Sequence, residues 1–132
     1  MIVLDASAAI DYLVDAGDRG DWARERIERE GSFAAPHVVD LEVVSGLRRL
    51  LARVEVTRRQ AEIGLTDFAN LDVTRYPMTI FLDRIWQLRA VLTPYDAAYV
   101  TLGEVLDSPV LTTDSRLSRA HGHQAAIVAF PG

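Results

Sequence analysis

Four acidic side chains stand where a carboxylate could do chemistry: Asp5, Glu42, Asp96 and Asp114. They come from distant stretches of a 132-residue chain. Carboxylates within about 4–6 Å of one another raise each other's pKa, so a cluster of them calls for a counter-charge. A divalent cation supplies it, and all-oxygen ligation suits hard ions such as Mg²⁺ or Mn²⁺. A bound ion of this kind lowers the pKa of a water and aims it at a phosphodiester, and a second ion about 3.5–4 Å away stabilises the leaving oxygen. No Ser–His or Cys–His pairing is seen, and none is needed for that chemistry.

The elements that would carry these acids follow from the hydrophobic pattern. Ile2-Val3-Leu4 is a short apolar run, and Asp5 ends it. Ser7 to Val14 has a helical period, and Gly17, Asp18 and Gly20 break it. Asp21 to Glu30 is an amphipathic helix stopped by Gly31. Phe33-Ala34-Ala35 is a weak strand closed by Pro36, and Val38 to Val54 is a helix that carries Glu42 in an early turn. Thr57 caps a helix to Leu71; Val73 to Tyr76 is a strand ended by Pro77; Ile80 to Val91 is helical. Thr93-Pro94-Tyr95-Asp96 opens a helix to about Leu106, with Thr as N-cap and Pro at the first position. Pro109 to Thr112, Ser115 to His121 and Ala126 to Phe130 complete the chain as strand, helix and strand.

Short apolar strands alternating with helices predict an α/β fold: a three-layer α/β/α sandwich of one domain with a central, mostly parallel five-stranded sheet. In open α/β sheets ligands bind outside the carboxyl ends of the strands, and helices that follow a strand begin at that same edge. All four acids fall there. Each has an ordinary reading too. Asp96 could complement its helix dipole, Asp114 could cap the helix at Ser115, and Glu42 could be a solvated helix residue. Asp5, ending an apolar strand, has little structural reason to exist. Taken together at one crevice, the acids read as a site.

Composition narrows the alternatives. The chain is 49% hydrophobic and 25% charged, as ordinary globular proteins are, and it contains no Cys. Disulfides, thiolate metal sites and cysteine nucleophiles are excluded, and a reducing cytosol is compatible, which makes the cytoplasm the expected location. All 14 basic residues are Arg. With no lysine, a Walker-type phosphate loop, a Schiff base, a phosphoacceptor receiver domain and a haloacid-dehalogenase-type phosphatase all lose their key group. An acid at position 5 comes too early for a signal peptide, and no apolar run approaches the ~20 residues of a membrane span.

The segments IVLDASA, VVDLEVVSGLRR, TPYDAAYVTLGE and LTTDSRL occur in that order along the whole chain. Together they resemble the PIN-domain ribonucleases, and most of all the VapC-type toxins of bacterial and archaeal toxin–antitoxin pairs. The resemblance implies a metal-dependent endoribonuclease, leaving a 5′-phosphate, inhibited by a VapB-type antitoxin and commonly dimeric. It implies that Asp5, Glu42, Asp96 and Asp114 bind Mg²⁺ or Mn²⁺, with Ser7, Thr113 and Arg116 supporting them. Some relatives carry a further acid two positions after the last one; here that place is Arg116, so one ion or two stays open.

The net charge of -5 looks wrong for an RNA binder, but removing the four site acids brings it to -1. Between Val43 and Arg59, Arg48, Arg49, Arg53, Arg58 and Arg59 face one acid, Glu55, a local +4. Arg49 and Arg53 share a helix face and could hold backbone phosphates, though a solvated face is the equal alternative. Asp11 and Asp40 read as surface or capping groups, and His37 as a cap or surface group. His121-Gly122-His123 reads as a turn, and Trp22 and Trp86 are spaced as core residues of their helices, though an exposed one could serve a partner interface. Two rivals stand beside the ribonuclease: another metal-dependent phosphohydrolase acting on DNA or nucleotides, and an inactive protein-binding α/β module.

Overall fold

The computed structural model describes residues 1–132. Its strands are β1 (Ile2–Leu4), β2 (Phe33–Pro36), β3 (Val73–Tyr76), β4 (Val110–Thr112) and β5 (Ile127–Ala129). Its helices are α1 (Ala6–Val14), α2 (Asp18–Arg29), α3 (Val39–Ala52), α4 (Arg58–Asn70), α5 (Leu82–Gln87), α6 (Pro94–Leu106) and α7 (Ser115–Arg119). The five strands form one sheet in the order β3-β2-β1-β4-β5, and every neighbouring pair is parallel. The expected sheet is thus present, and parallel throughout. No helix is long and apolar enough to cross a membrane.

Burial explains the pattern. β1, β2 and β4 are buried along their whole length, which requires helices on both faces. On one side α1 packs against α2, α3 and α4; on the other α6 lies against β1, β2 and β4, with α5 outside it. Val39, Val43 and Leu47 recur at intervals of four on the inward face of α3, and Ala97 to Gly103 of α6 are all buried. The strand order reverses between β1 and β4, whose carboxyl ends therefore flank an open crevice.

Three expectations differ. α2 begins at Asp18 rather than Asp21, because Gly20 permits a close approach and does not break the helix. A Cβ there would collide with the carbonyl of Asp15, and the Gly20 N–H instead bonds the Asp15 carboxylate at 2.7 Å. The helix read over residues 80–91 is a 3₁₀ turn (Thr79–Phe81) followed by α5, which ends at Gln87. Leu88 anchors its end in the core, and the chain then folds back in tight turns to Thr93-Pro94. Trp86 is not a core residue: it is 66% exposed, with the Arg89 guanidinium 4.5 Å from its ring centroid. Trp22 packs edge-on to Phe130 as an inward residue should.

Candidate active site

Asp5 follows β1, Glu42 lies in the first turn of α3, Asp96 in the first turn of α6, and Asp114 follows β4 as the N-cap of α7. All four open onto the carboxyl edge of the sheet. Like-charge repulsion links them in a chain, with Asp5 raised by Asp96 and Glu42, Glu42 by Asp96, and Asp96 by Asp114. All four thus lie at the end of the sheet where the sequence expected them, though no three of them stand close enough to share one ion.

Asp5 is the buried member. Its Oδ2 accepts hydrogen bonds from the hydroxyls of Ser7 (2.6 Å) and Thr112 (2.7 Å), while Oδ1 takes none from the protein. Burial pushes its pKa up to about 6, against the lowering effect of the two hydroxyls. Glu42 Oε1 accepts the Tyr99 hydroxyl at 2.6 Å. Tyr99 is fully buried, and burial beside Asp5 and Glu42 drives its own pKa far above that of an ordinary phenol, so it stays a donor. Burial also raises Glu42 and Asp96 above the usual carboxylate range. Asp114 moves the other way, because the Arg116 guanidinium clasps it, with Nη2 to Oδ2 at 2.8 Å.

The supporting hydroxyls divide their work. Ser7 donates to Asp5 and accepts the Thr113 N–H at 3.1 Å. Thr112, which is not among the residues the sequence singles out, donates to Asp5 and accepts the Asp114 N–H at 2.9 Å. It is a buried hydroxyl at the end of an otherwise apolar strand, and that polarity was the one signal of its role. The Thr113 hydroxyl bonds none of the four acids; it donates to Asp11 Oδ2 at 2.6 Å. Asp11 is therefore not the surface or capping group expected. It is half-buried one turn after Ser7, and burial raises its pKa.

The remaining residues settle simply. Asp40 is a surface partner of Arg75, bonded to Nε and Nη2. His37 is exposed, and His121 and His123 lie in the connection between α7 and β5, where His123 Nδ1 accepts the Ala125 N–H. Arg49 borders a cleft of about 390 Å³ beside Asp114, together with Arg19 and Arg116; Arg53, one turn further along, does not.

A family model described as PIN domain matches residues 2–122. The chain belongs to the PIN domain family. A VapC ribonuclease of Mycobacterium bovis is 42% identical over 131 residues, covering 99% of both chains. Ribonuclease VapC12 of Mycobacterium tuberculosis is 38% identical over 127 residues, 96% of this chain and 97% of that one. Among solved structures, the fold is similar to Mycobacterium tuberculosis VapC20, a sarcin-ricin loop cleaving toxin (TM-score 0.72, 15% identity, 94% and 97% covered). It is similar also to VapBC2 from Rickettsia felis, bound to a DNA fragment from its promoter (TM-score 0.67, 13% identity, 98% and 99% covered).

Does the PIN domain's acid crevice suit a hard divalent cation? No three of its carboxylates stand close enough to form a ready-made cage. Mg²⁺ does not ask for one, since it keeps several waters and takes one or two carboxylates directly. Three of the four acids have no cationic side chain bonded to them, and the guanidinium within reach is held by Asp114. The free Oδ1 of Asp5 and the raised pKa values describe oxygens in want of positive charge. The donor set fits.

Proposed function

We propose that this PIN domain is a Mg²⁺- or Mn²⁺-dependent endoribonuclease and the toxin of a VapBC-type toxin–antitoxin pair. The observation that carries the reading is the crevice itself, in which Asp5, Glu42 and Asp96 are raised by burial and by one another at the point where strand order reverses. One or two divalent ions held there by Asp5, Glu42, Asp96 and Asp114 would supply an activated water and neutralise the charge that develops on the phosphate. The chain's own part is placement. Ser7 and Thr112 hold Asp5 through Oδ2, which leaves its second oxygen without a protein donor. Tyr99 fixes Glu42 from the opposite helical layer, and the first turn of α6 presents Asp96. The ribonuclease names of relatives aligned over nearly the whole chain support RNA as the substrate.

The VapBC complex among the similar structures supports a VapB-type antitoxin as partner, and Ile80, Leu82 and Trp86 leave apolar surface open to a protein partner. A homodimer and a cytoplasmic location belong to the same reading. The decisive variant is Asp5→Asn, which keeps shape and removes the charge. In Mg²⁺ it should lose at least about 100-fold in RNA cleavage, the scale on which removing a group that stabilises transition-state charge is felt. Overproduction of the wild type should arrest growth where the variant does not. Undiminished cleavage by Asp5→Asn would remove the mechanism.

A further inference from the structure

The cleft beside Asp114 is lined by five charged side chains: Asp11, Arg19, Arg49, Asp114 and Arg116. Two of them satisfy each other, since Arg116 clasps Asp114 through Nε and Nη2. Asp11 Oδ2 takes the Thr113 hydroxyl at 2.6 Å, and Arg19 Nε lies 3.9 Å from the same oxygen, too far for a hydrogen bond. Arg19 therefore keeps its donors while Asp11 holds the side chain at the cleft. Arg49 lines the same cleft. Its Nη2 lies back over Gly46, 3.9 Å from where a Cβ would be, where α3 packs closely against Ile10 of α1. Neither Arg19 nor Arg49 carries a hydrogen bond to the protein, so two guanidinium groups with open donors border one hollow next to the acids.

The hollow does not end there. A second one, of about 600 Å³, shares Arg19, Thr113 and Ser115 with the first and runs on to Phe130 and Gly132. The two hollows adjoin through those three residues, and Asp15 and Asp18 also line the second, which leaves the phosphate site to the first. Guanidinium groups present planar forks that match phosphate, and they hold that charge at any physiological pH.

We infer that Arg19 and Arg49 clamp a backbone phosphate adjacent to the one cleaved. The inference rests on the nuclease reading above and deepens it. A substrate with a single phosphate leaves the clamp empty, which sets this site apart from one built for nucleoside monophosphates. Arg53, matched with Arg49 by sequence spacing alone, has no part in it.

The test is binding of a mixed-sequence single-stranded RNA oligonucleotide by the full chain in EDTA, where no cleavage occurs, across a salt series. Removing one arginine that neutralises a phosphate should flatten the slope of log K against log salt by about 0.7. Arg19→Gln and Arg49→Gln should each show that change with several-fold weaker binding, and Arg53→Gln should show neither. In Mg²⁺ the same two variants should raise KM more than they lower kcat, while Mn²⁺ binding by calorimetry stays at the wild-type value. Wild-type salt slopes in Arg19→Gln and Arg49→Gln, or an equal loss in Arg53→Gln, would overturn the clamp. The nuclease reading is judged separately: if Asp5→Asn abolishes cleavage while these slopes do not move, the clamp alone fails.

Discussion

Thr112 shows how much one hydroxyl can organise. It is buried, and it has one proton to give and lone pairs to accept with. The proton goes to Asp5 and a lone pair to the Asp114 N–H, so a single side chain ties the acid after β1 to the acid after β4. Ser7 repeats the arrangement beside it, giving to Asp5 and taking from the Thr113 N–H. Thr112→Val keeps the shape and removes both bonds, leaving a buried carboxylate with one donor and a backbone N–H with none. The expected cost is about 1–3 kcal/mol of stability by urea unfolding. Mn²⁺ affinity should fall 10- to 100-fold by calorimetry, the usual penalty for removing a group that orients a ligand. Thr112→Ser should restore most of both. Wild-type Mn²⁺ affinity in Thr112→Val would mean that the hydroxyl only fills space. The acids themselves were legible in the sequence because each sits at the end of a strand or the start of a helix. Thr112 and Asp11 were not, because their partners lie some hundred residues away along the chain.

At the scale of elements, legibility followed the strength of local signals. The helix at Thr93-Pro94 begins where its cap and proline say it must, with the Asp96 N–H bonded to Thr93 Oγ1. The helix after Thr57 carries a full capping box with Gln60. Residues 80–91 misled because their apolar spacing suits a helix, while packing of Leu88 and the turn toward Pro94 shorten it; tertiary structure overrode the period. The end of α3 is a third case. Val54 closes it in the left-handed region (φ 58°), its N–H on the Leu51 carbonyl and the Glu55 N–H on that of Leu50. That is a glycine-type helix stop filled by a β-branched residue, which costs about 1–2 kcal/mol. Val54 is 87% exposed, so it has no burial to offset the strain. Val54→Gly should therefore stabilise the fold by about 0.5–1 kcal/mol in urea unfolding, after the added freedom of glycine in the unfolded chain is subtracted. Glu42 lies at the other end of α3, so kcat for RNA cleavage should be unchanged. A lower urea midpoint would refute the claim of strain.

For the molecule as a whole, the crevice sets stability against function through pH. Asp5, Asp11, Glu42 and Asp96 all have pKa values above the ordinary carboxylate range, chiefly because burial disfavours the charged form. Between the ordinary value and the raised one, the native state binds more protons than the unfolded chain, so stability falls as pH rises through that window. For Asp5 the window runs from 3.8 to about 6. Glu104 and Asp114, held low by Arg84 and Arg116, act with the opposite sign: their contribution is present above the ordinary carboxylate range and is lost as pH falls through their lowered values. In EDTA the protein should then be most stable near about pH 4–5 and lose stability toward neutrality, with Asp5 alone contributing a loss on the order of 2–3 kcal/mol. Asp5→Asn should flatten most of that slope. Mn²⁺ added at neutral pH should recover the loss in the wild type, since an ion that binds only the native state stabilises it by mass action. Urea midpoints across the pH series measure all three. If the metal-free wild type instead grows steadily more stable from about pH 5 to 7, then burial does not hold these carboxylates above their ordinary range, and the crevice has no electrostatic need of a cation.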